Sequence, residues 1–267
     1  MAEFTTSDGV SIHYEIEGRE DGPPLIFSNS LGTNLSLWDD QIPEAIYRGF
    51  RIIRYDQRGH GRSEAPDGPY SFERLGRDVL DLLDGLDIEK ASFCGLSMGG
   101  MTGVWLGREH PRRFTRLALC NCAVFMPAKD IWEGRIRTVR QNGMEAIVDQ
   151  VAERWFTPGF RDSHPEEVER IRAMLLATDP TGYTGCCAAI RDMDYRDRLG
   201  LIESPVLVVI GHHDASTTPE QGQVLVDKVP GARKAVLECA HLSNIEARDE
   251  FNQTVFGFLA GERPQSL

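Results

Sequence analysis

Short apolar runs alternate with longer amphipathic segments along most of the chain. The apolar runs predict strands at residues 4–6, 10–17, 25–27, 50–55, 91–94, 117–120, 205–210 and 234–237. The first two runs flank Ser7-Asp8-Gly9 and predict an opening β-hairpin. Several intervening segments repeat apolar residues at helical spacing, as at Leu75, Val79 and Leu82. This alternation predicts an α/β fold with a mostly parallel sheet that helices cover on both faces.

The alternation is interrupted between residues 124 and 194. Helical patterns occupy residues 131–140, 144–156, 165–177 and 185–191, and no strand pattern separates them. Because open α/β sheets bind ligands beyond the carboxyl ends of their strands, we expect this insertion to form a helical cap over that edge. The predicted organisation is a core of residues 1–123 and 195–267 with a cap of residues 124–194.

Length and charge narrow the possible partners. The 267 residues suit one α/β domain with an insertion, and 29 basic against 41 acidic residues give a net charge of −12. This charge argues against nucleic acids and anionic membranes as partners. An anionic substrate would need a local cationic anchor, because the overall field opposes its approach.

The cysteines and the N-terminal segment indicate the cellular compartment. None of the six cysteines shows Cys-x-x-Cys spacing, and most lie in apolar runs, where free cysteine packs as a small hydrophobe. The first residues lack the basic and apolar regions of a signal peptide, and no apolar run reaches membrane-spanning length. We therefore expect a reducing, cytoplasmic setting.

The segment Gly95-Leu96-Ser97-Met98-Gly99 is the strongest chemical motif. It joins an apolar strand pattern to the small-residue start of a helix, which is the context that a Gly-x-Ser-x-Gly nucleophile turn requires. In such a turn the serine is held in a strained backbone conformation and its hydroxyl projects outwards. The alternative is a glycine-rich turn that only packs a helix closely on a strand. The flanking patterns favour Ser97 as a nucleophile.

A serine nucleophile needs a base, and His241 is the best placed of the seven histidines. It follows the last predicted strand and precedes a helix predicted from about residue 246, although a loop histidine that hydrogen-bonds a backbone carbonyl is the alternative. His212 and His213 flank a strand end and suggest a metal site. We expect their adjacent side chains to diverge, and no further His or Cys cluster completes a shell, so we predict no metal. The other four histidines are predicted to be exposed or structural.

Asp214 is the predicted carboxylate partner of His241, because it follows the apolar run at residues 205–210. The chain order Ser97, Asp214, His241 is the order of hydrolases with a nucleophile elbow. Asp56 also follows a strand pattern, but it precedes the nucleophile and begins a charged loop. We therefore predict a structural role for Asp56, in a salt bridge or a turn.

An oxyanion hole requires two converging backbone N–H groups. The first is the amide of Met98, which follows the nucleophile at a predicted helix N-terminus. The second is predicted in the loop at residues 28–32, after the third strand, where we choose the amide of Leu31.

Four segments together resemble the α/β-hydrolase superfamily. They are NSLGTNLSLW at residues 29–38, YDQRGHGRS at 55–63, CGLSMGG at 94–100 and GHHDAS at 211–216. Within that superfamily the chain is similar, over nearly its whole length, to the 3-oxoadipate enol-lactonases of catechol and protocatechuate breakdown. Asn29-Ser30 stands where many relatives carry His-Gly, in agreement with the enol-lactonase pattern. The resemblance implies an eight-stranded α/β-hydrolase fold with a helical cap, and a serine hydrolase that opens an anionic lactone without metal or organic cofactor.

The cap offers a cation for such a substrate. In the first predicted cap helix, Arg135 lies within the apolar arc that includes Trp132 and Ile136. An arginine there is costly unless it meets an anion, so it is either a substrate anchor or the salt-bridge partner of an Asp or Glu. The resemblance favours the anchor.

Ser30 and Trp155 complete the predicted substrate contacts. Ser30 belongs to the predicted oxyanion loop. Trp155 lies on the apolar stripe of Met144, Val148 and Val151, so packing in the core is its alternative role.

Two other functions remain open at this stage. One is another small hydrolase on this fold: a carboxylesterase, a haloperoxidase-like hydrolase or a carbon–carbon bond hydrolase. The other is a non-catalytic ligand-binding protein, because a fold does not determine a function. The presence of Ser97, Asp214 and His241 argues against the second.

Overall fold

One mixed sheet organises residues 2–262, which are the residues that the computed structural model describes. Its strands are β1 (Ala2–Thr5), β2 (Ser11–Gly18), β3 (Pro24–Ser28), β4 (Arg51–Tyr55), β5 (Ala91–Leu96), β6 (Phe114–Cys120), β7 (Val206–Gly211) and β8 (Arg233–Leu237). Their order across the sheet is β1-β2-β4-β3-β5-β6-β7-β8. The pairs β1–β2 and β2–β4 are antiparallel, and the other neighbours are parallel. The predicted eight-stranded, mostly parallel sheet is confirmed.

Helices cover the sheet and fill the insertion. They are α1 (Ile42–Tyr47), α2 (Phe72–Gly85), α3 (Met98–Glu109), α4 (Lys129–Asn142), α5 (Val148–Trp155), α6 (Pro158–Ser163), α7 (Pro165–Ala177), α8 (Pro180–Asp192), α9 (Pro219–Lys228), α10 (Ser243–Glu246) and α11 (Arg248–Leu259). Among the helices of residues 2–262, none combines the length and the apolar character needed to cross a membrane.

The parallel strands bring three loops to one edge of the sheet. Leu96 of β5 pairs with Cys120 of β6, and β7 lies beside β6 in the same direction. Every residue of β5 and β7 is buried, which explains their apolar runs without alternation. Ser97 and Asn121 directly follow β5 and β6, and Asp214 lies in the loop after β7. All three therefore lie at the carboxyl edge of the sheet, where open α/β folds bind ligands.

Within the described residues, five helices lie between β6 and β7, in the region predicted as a cap. The chain leaves and re-enters the core at one place, because Phe125 and Asp194 form an isolated antiparallel bridge. This bridge lies next to the expected boundaries at residues 124 and 194. The division into core and cap stays a prediction that the position of the bridge supports.

Some cap helices differ from the predicted ones at their ends. The pattern at residues 144–156 is a 3₁₀ turn followed by α5, because Ile147 has a φ of −125°, outside the helical range. The helix expected from residue 185 begins five residues earlier, where the Asp179 carboxylate accepts the Thr181 N–H at 2.7 Å and Pro180 opens the first turn. The short helix α6 was not predicted from the sequence.

Candidate active site

Ser97 occupies a strained corner between β5 and α3. Its φ of 56° and ψ of −114° are unusual for a residue with a side chain. Its N–H donates to Cys120 O at 2.9 Å, which fastens the corner to the end of β6. Two glycines leave the necessary room, because a Cβ at Gly95 would lie 2.3 Å from Gly99 O and a Cβ at Gly99 would lie 2.0 Å from Ser28 O. This is the backbone geometry expected of a nucleophile turn.

Asp214 and His241 form a buried hydrogen-bonded pair. His241 Nδ1 lies 2.8 Å from Asp214 Oδ2, and the two side chains are 2% and 0% exposed. The loops after β7 and β8 bring them together, because these strands pair in parallel. The His241 N–H donates to Trp155 O at 3.1 Å, so the end of α5 holds the same loop. An imidazole that donates Nδ1–H to a carboxylate presents Nε2 as an acceptor, as a general base must.

The Asp214 carboxylate is saturated with donors. Its Oδ1 accepts the N–H groups of Ser216 and Thr217 at 2.8 and 3.0 Å. Its Oδ2 accepts Asn121 Nδ2 at 3.0 Å and lies 2.9 Å from Thr217 Oγ1, besides its contact with His241. Burial raises the pKa of this carboxyl, but the His241 charge and these hydrogen bonds together hold the pKa below its usual value. Asp214 is therefore ionised at neutral pH and accepts the Nδ1–H of His241.

The loop at residues 28–32 lies directly against the nucleophile corner. The Gly99 N–H donates to Asn29 O at 3.0 Å. The Asn29 side chain accepts Trp38 Nε1–H at 2.9 Å and donates to Tyr55 O at 2.8 Å, both in the core. These bonds fix the loop against β4 and against the 3₁₀ segment that contains Trp38. They give a structural reason for Asn29 at the start of the segment at residues 29–38.

The two N–H groups predicted for the oxyanion hole belong to this loop and to the start of α3. Within residues 2–262, the N–H groups of Leu31 and Met98 find no acceptor in the protein. Leu31 lines the cavity described next, whereas the Met98 side chain is buried away from it. The arrangement leaves both donors free for a substrate oxygen.

A cavity of about 410 Å³ opens over the nucleophile. Ser97 and His241 both line it, and so do the three predicted substrate contacts Ser30, Arg135 and Trp155. Asp214 is not part of the lining and lies behind His241. The region predicted as the cap adds seven apolar residues to the lining: Met126, Pro127, Ala128, Ile131, Trp132, Val151 and Ile190. Trp155 is compatible with both predicted roles, packing in the core and contact with the substrate. It is buried, and its ring centre also lies 6.0 Å from that of His241.

The charged groups of the cavity lining are arginines. Arg135 comes from α4 and Arg154 from α5, and no Asp or Glu of residues 2–262 lines the cavity. Within residues 2–262, neither arginine forms an ion pair with a carboxylate, so the salt-bridge alternative for Arg135 finds no partner there. The Arg135 guanidinium lies 4.9 Å from the centre of the Trp132 ring and near Tyr183, whose pKa is raised by burial. In a chain of net charge −12, this cavity is locally cationic.

The histidine pair before Asp214 differs from the sequence-based expectation. One ligand atom each of His212, His213 and Glu238 lies within 4.8 Å of the others, so the expected divergence of the adjacent side chains is wrong. All three side chains are exposed, and His213 Nε2 lies 3.2 Å from Glu238 Oε2. This surface cluster lies outside the cavity that contains Ser97.

Asp56, for which we predicted a structural role, lies away from the cavity. It is buried and accepts the N–H groups of Leu35 at 2.7 Å and Arg62 at 2.9 Å. Burial raises its pKa. Asp56 therefore fastens the loop after β4 to the segment that follows the oxyanion loop.

Sequence reasoning did not assign four residues of the site: Asn121, Arg154, Tyr183 and Thr217. Asn121 directly follows β6, and the rule that selected Asp214, a polar residue after a buried strand, would have found it. Arg154 precedes Trp155 on α5, off the apolar stripe of that helix, and no local pattern indicates that it reaches the cavity. Tyr183 carries no signal of its own, because α8 is buried along most of its length.

Comparison with known proteins places this geometry in a family. The family model described as alpha/beta hydrolase fold matches residues 23–248. The chain belongs to the α/β-hydrolase fold family. This α/β-hydrolase is 44% identical to 3-oxoadipate enol-lactonase 2 of Acinetobacter baylyi, over 94% of its own length and 93% of that protein's. It is 36% identical to 3-oxoadipate enol-lactonase 1 of the same organism, over 96% of each chain.

Solved structures show the same likeness. The α/β-hydrolase superposes on the enol-lactonase from Burkholderia xenovorans LB400 with a TM-score of 0.94 and 43% identity, covering 97% of this chain and 99% of that one. A malate-bound thermophilic esterase from Thermogutta terrifontis gives a TM-score of 0.90 and 26% identity, covering 97% of both chains. The predicted fold class and the predicted resemblance to enol-lactonases are confirmed.

Proposed function

We propose that this α/β-hydrolase opens the lactone ring of 3-oxoadipate enol-lactone to give 3-oxoadipate. The observation that carries the proposal is the cavity: Ser97 and His241 share its lining with Arg135 and Arg154, and none of the carboxylates in the described part of the chain belongs to it. Such a site favours a small ester or lactone that bears a negative charge. The names of the relatives at 44% and 43% identity support this particular lactone.

The reaction begins at the nucleophile. His241 Nε2 takes the proton of the Ser97 hydroxyl as its oxygen attacks the lactone carbonyl carbon. Asp214, held ionised by its donors, stabilises the imidazolium that forms. The carbonyl oxygen becomes negatively charged and is stabilised by the N–H groups of Leu31 and Met98.

The ring opens when the tetrahedral intermediate collapses. The bond between the acyl carbon and the ring oxygen breaks, and the electron pair leaves as an enolate that takes the proton from His241 and becomes a ketone. A water molecule then gives a proton to His241 while its oxygen attacks the acyl ester on Ser97. The serine oxygen leaves with that proton, and the new carboxyl group of 3-oxoadipate is released and gives its own proton to the solvent. The enzyme returns to its starting state.

Arg135 is the proposed anchor for the carboxylate that the lactone carries before the ring opens. Its guanidinium lies in the cavity wall, beside Trp132 and Tyr183, with no carboxylate partner in the described residues. A guanidinium binds a carboxylate through two parallel hydrogen bonds, which would orient the ring against Ser97. Ser30 is a second proposed contact, because its hydroxyl is buried in the cavity wall and has no partner within residues 2–262.

Arg154 is proposed to attract the substrate at the mouth of the cavity. It is exposed, and it lines both the cavity and a neighbouring depression on the surface. A cation in this place raises the local concentration of an anionic substrate in a protein whose overall charge repels it.

Steady-state hydrolysis of freshly generated 3-oxoadipate enol-lactone tests the proposal. We expect multiple turnovers, and a kcat/KM higher than that for a neutral aryl acetate or for a vinylogous diketone. Ser97→Ala should reduce kcat by several orders of magnitude while the thermal unfolding midpoint stays near that of the wild type. Faster cleavage of the aryl acetate would instead indicate a general esterase, and faster cleavage of the diketone a carbon–carbon bond hydrolase. A stoichiometric complex without turnover would indicate a binding protein.

A further inference from the structure

Asn121 connects the two loops that carry Asp214 and His241, although it does not line the cavity. It directly follows β6 and is fully buried, with a φ of 45° in the left-handed region. Asparagine tolerates this conformation better than most residues with a side chain. Its backbone N–H donates to Val209 O at 2.8 Å, which fixes the residue to the neighbouring strand β7.

Every polar atom of the Asn121 side chain is used. Nδ2 carries two hydrogens and donates to Asp214 Oδ2 at 3.0 Å and to Ala240 O at 3.1 Å. Oδ1 accepts the hydroxyl of Ser243 at 2.6 Å. The orientation of the amide follows from its contacts with Asp214 and Ala240, because a carboxylate and a carbonyl oxygen can only accept and must therefore face Nδ2. The same amide thus bonds both to Asp214 and to the residue that precedes His241.

The other side-chain donor near Asp214 does not duplicate this contact. Thr217 has one hydroxyl hydrogen, and its oxygen lies 2.7 Å from Asn121 O and 2.9 Å from Asp214 Oδ2. A single hydrogen serves one acceptor well, and the backbone carbonyl of Asn121 is the nearer of the two. Apart from His241, the amide of Asn121 is therefore the unshared side-chain donor to Asp214 Oδ2.

The surrounding backbone also leaves space for this amide. A Cβ at Gly211 would lie 2.1 Å from Ala240 O and 2.8 Å from Asn121 Nδ2. Because Gly211 has no side chain, the Asn121 amide can reach both Asp214 and the loop that carries His241.

We infer that Asn121 is a positioning residue for the hydrolytic reaction: its amide holds the Asp214 carboxylate and the His241 loop in the relative geometry that general-base catalysis needs. The inference rests on the proposed roles of Ser97, Asp214 and His241, but not on the identity of the lactone. A carboxylate that loses this donor keeps the Ser216 and Thr217 N–H groups on Oδ1, but it loses the amide that fixes Oδ2 towards His241 Nδ1. The imidazole then loses its fixed orientation towards Ser97, and kcat falls while substrate binding is little changed.

Asn121→Gly is the main test, because glycine keeps the left-handed backbone and removes only the amide. We expect kcat to fall about tenfold or more for both the enol-lactone and an aryl acetate, with KM changed less than threefold, as for the loss of one hydrogen bond to a charged group. Asn244→Ala is the matched control. Asn244 is another buried asparagine near His241, but its Nδ2 bonds to Leu37 O and Gln41 Oε1, away from the reacting pair. This control should lose thermal stability and keep its kcat.

Asn121→Asp separates positioning from a purely structural role. It places a carboxylate oxygen beside Asp214 Oδ2, where the amide now donates at 3.0 Å. The added negative charge favours the protonated imidazole, which cannot act as a base, so the acidic limb of the kcat/KM profile should move to higher pH. An unmoved limb in the folded variant would show that residue 121 has no effect on the reacting pair.

Ser243→Ala is a milder change that replaces the test if the Asn121→Gly variant does not fold. It removes the hydrogen bond that holds the oxygen of the Asn121 amide and should lower kcat in the same direction by a smaller factor. Wild-type turnover and its loss in Ser97→Ala are measured first, so a failure of the proposed function is recognised before Asn121 is judged. If that test succeeds and the folded variants of Asn121 and Ser243 keep the wild-type kcat and pH profile, the inference is overturned. An equal loss of kcat in Asn244→Ala would also overturn it.

Discussion

His60 Nε2 accepts the backbone N–H of Gly32 at 2.9 Å, so a histidine outside the cavity holds the proposed oxyanion loop. Its Nδ1 lies 3.2 Å from Arg58 O, and this hydrogen-bond pattern assigns the proton to Nδ1 and leaves Nε2 as the acceptor. Burial lowers the pKa of His60 from 6.5 to about 4. The loop beside Ser97 therefore depends on a neutral imidazole.

This histidine should make the protein less stable in mild acid. Above pH 6.5, His60 is neutral in the folded and the unfolded chain and has no effect on stability. As the pH falls from 6.5 to 4, the unfolded chain takes up a proton that the folded chain resists, so the free energy of unfolding decreases, by about 3 kcal/mol in all. Urea unfolding at pH 7 and pH 5 measures the loss, and His60→Gln is the comparison, because its amide oxygen also accepts the Gly32 N–H without titrating. Wild type should lose about 2 kcal/mol more than this variant between the two pH values, and equal losses would contradict the assignment.

Arg135→Met should separate acidic from neutral substrates. The change keeps much of the apolar stem and removes the guanidinium, so kcat/KM for the enol-lactone should fall about 10- to 100-fold, as expected for one charge-assisted contact. Hydrolysis of a neutral aryl acetate should stay within a few-fold of the wild type. Equal losses on both substrates would show that Arg135 supports the cap rather than the substrate.

Arg154→Met should change the salt dependence of the reaction. If Arg154 attracts the anionic lactone, kcat/KM should fall several-fold at low ionic strength, and the difference from wild type should shrink near 0.5 M salt as the charges are screened. Arg137→Met is the control, because it makes the same charge change on the exposed face of α4, outside the cavity lining. Identical salt profiles for the two variants would show that Arg154 acts only through the net charge of the protein.

Gly99→Ala should damage the site and the stability together. Its Cβ would lie 2.0 Å from Ser28 O, so the oxyanion loop must move away from the nucleophile corner. We expect a loss of about 1–3 kcal/mol in the free energy of unfolding, together with a reduced kcat. Gly85→Ala is the matched control, because a Cβ there meets nothing within 4 Å and alanine favours the end of α2. A Gly99→Ala enzyme with normal kcat and stability would contradict the close approach of this loop.

The elements and the nucleophile were predictable because their signals are local. The apolar runs of β5 and β7 are continuous, since both strands are buried on both faces, and Ser97 lies in a turn whose glycines are its sequence neighbours. The ends of the cap helices were predicted less well. The start of α8 depends on the Asp179 cap, and the break before α5 depends on how Ile147 packs.

The amino-acid sequence by itself determined the alternation of strands and helices, the serine on its corner and the order of the candidate acid and base. These features arise from residues a few positions apart, whose spacing sets periodicity and turn geometry. Only the tertiary structure shows the contact itself between Asp214 and His241, which are 27 residues apart, and the unpredicted contact between Asn121 and Asp214, which are 93 apart. It also decided that Arg135 and Arg154 face one cavity without a carboxylate. Such distant contacts follow from which strands pair and how the cap helices pack, and no local pattern carries that information.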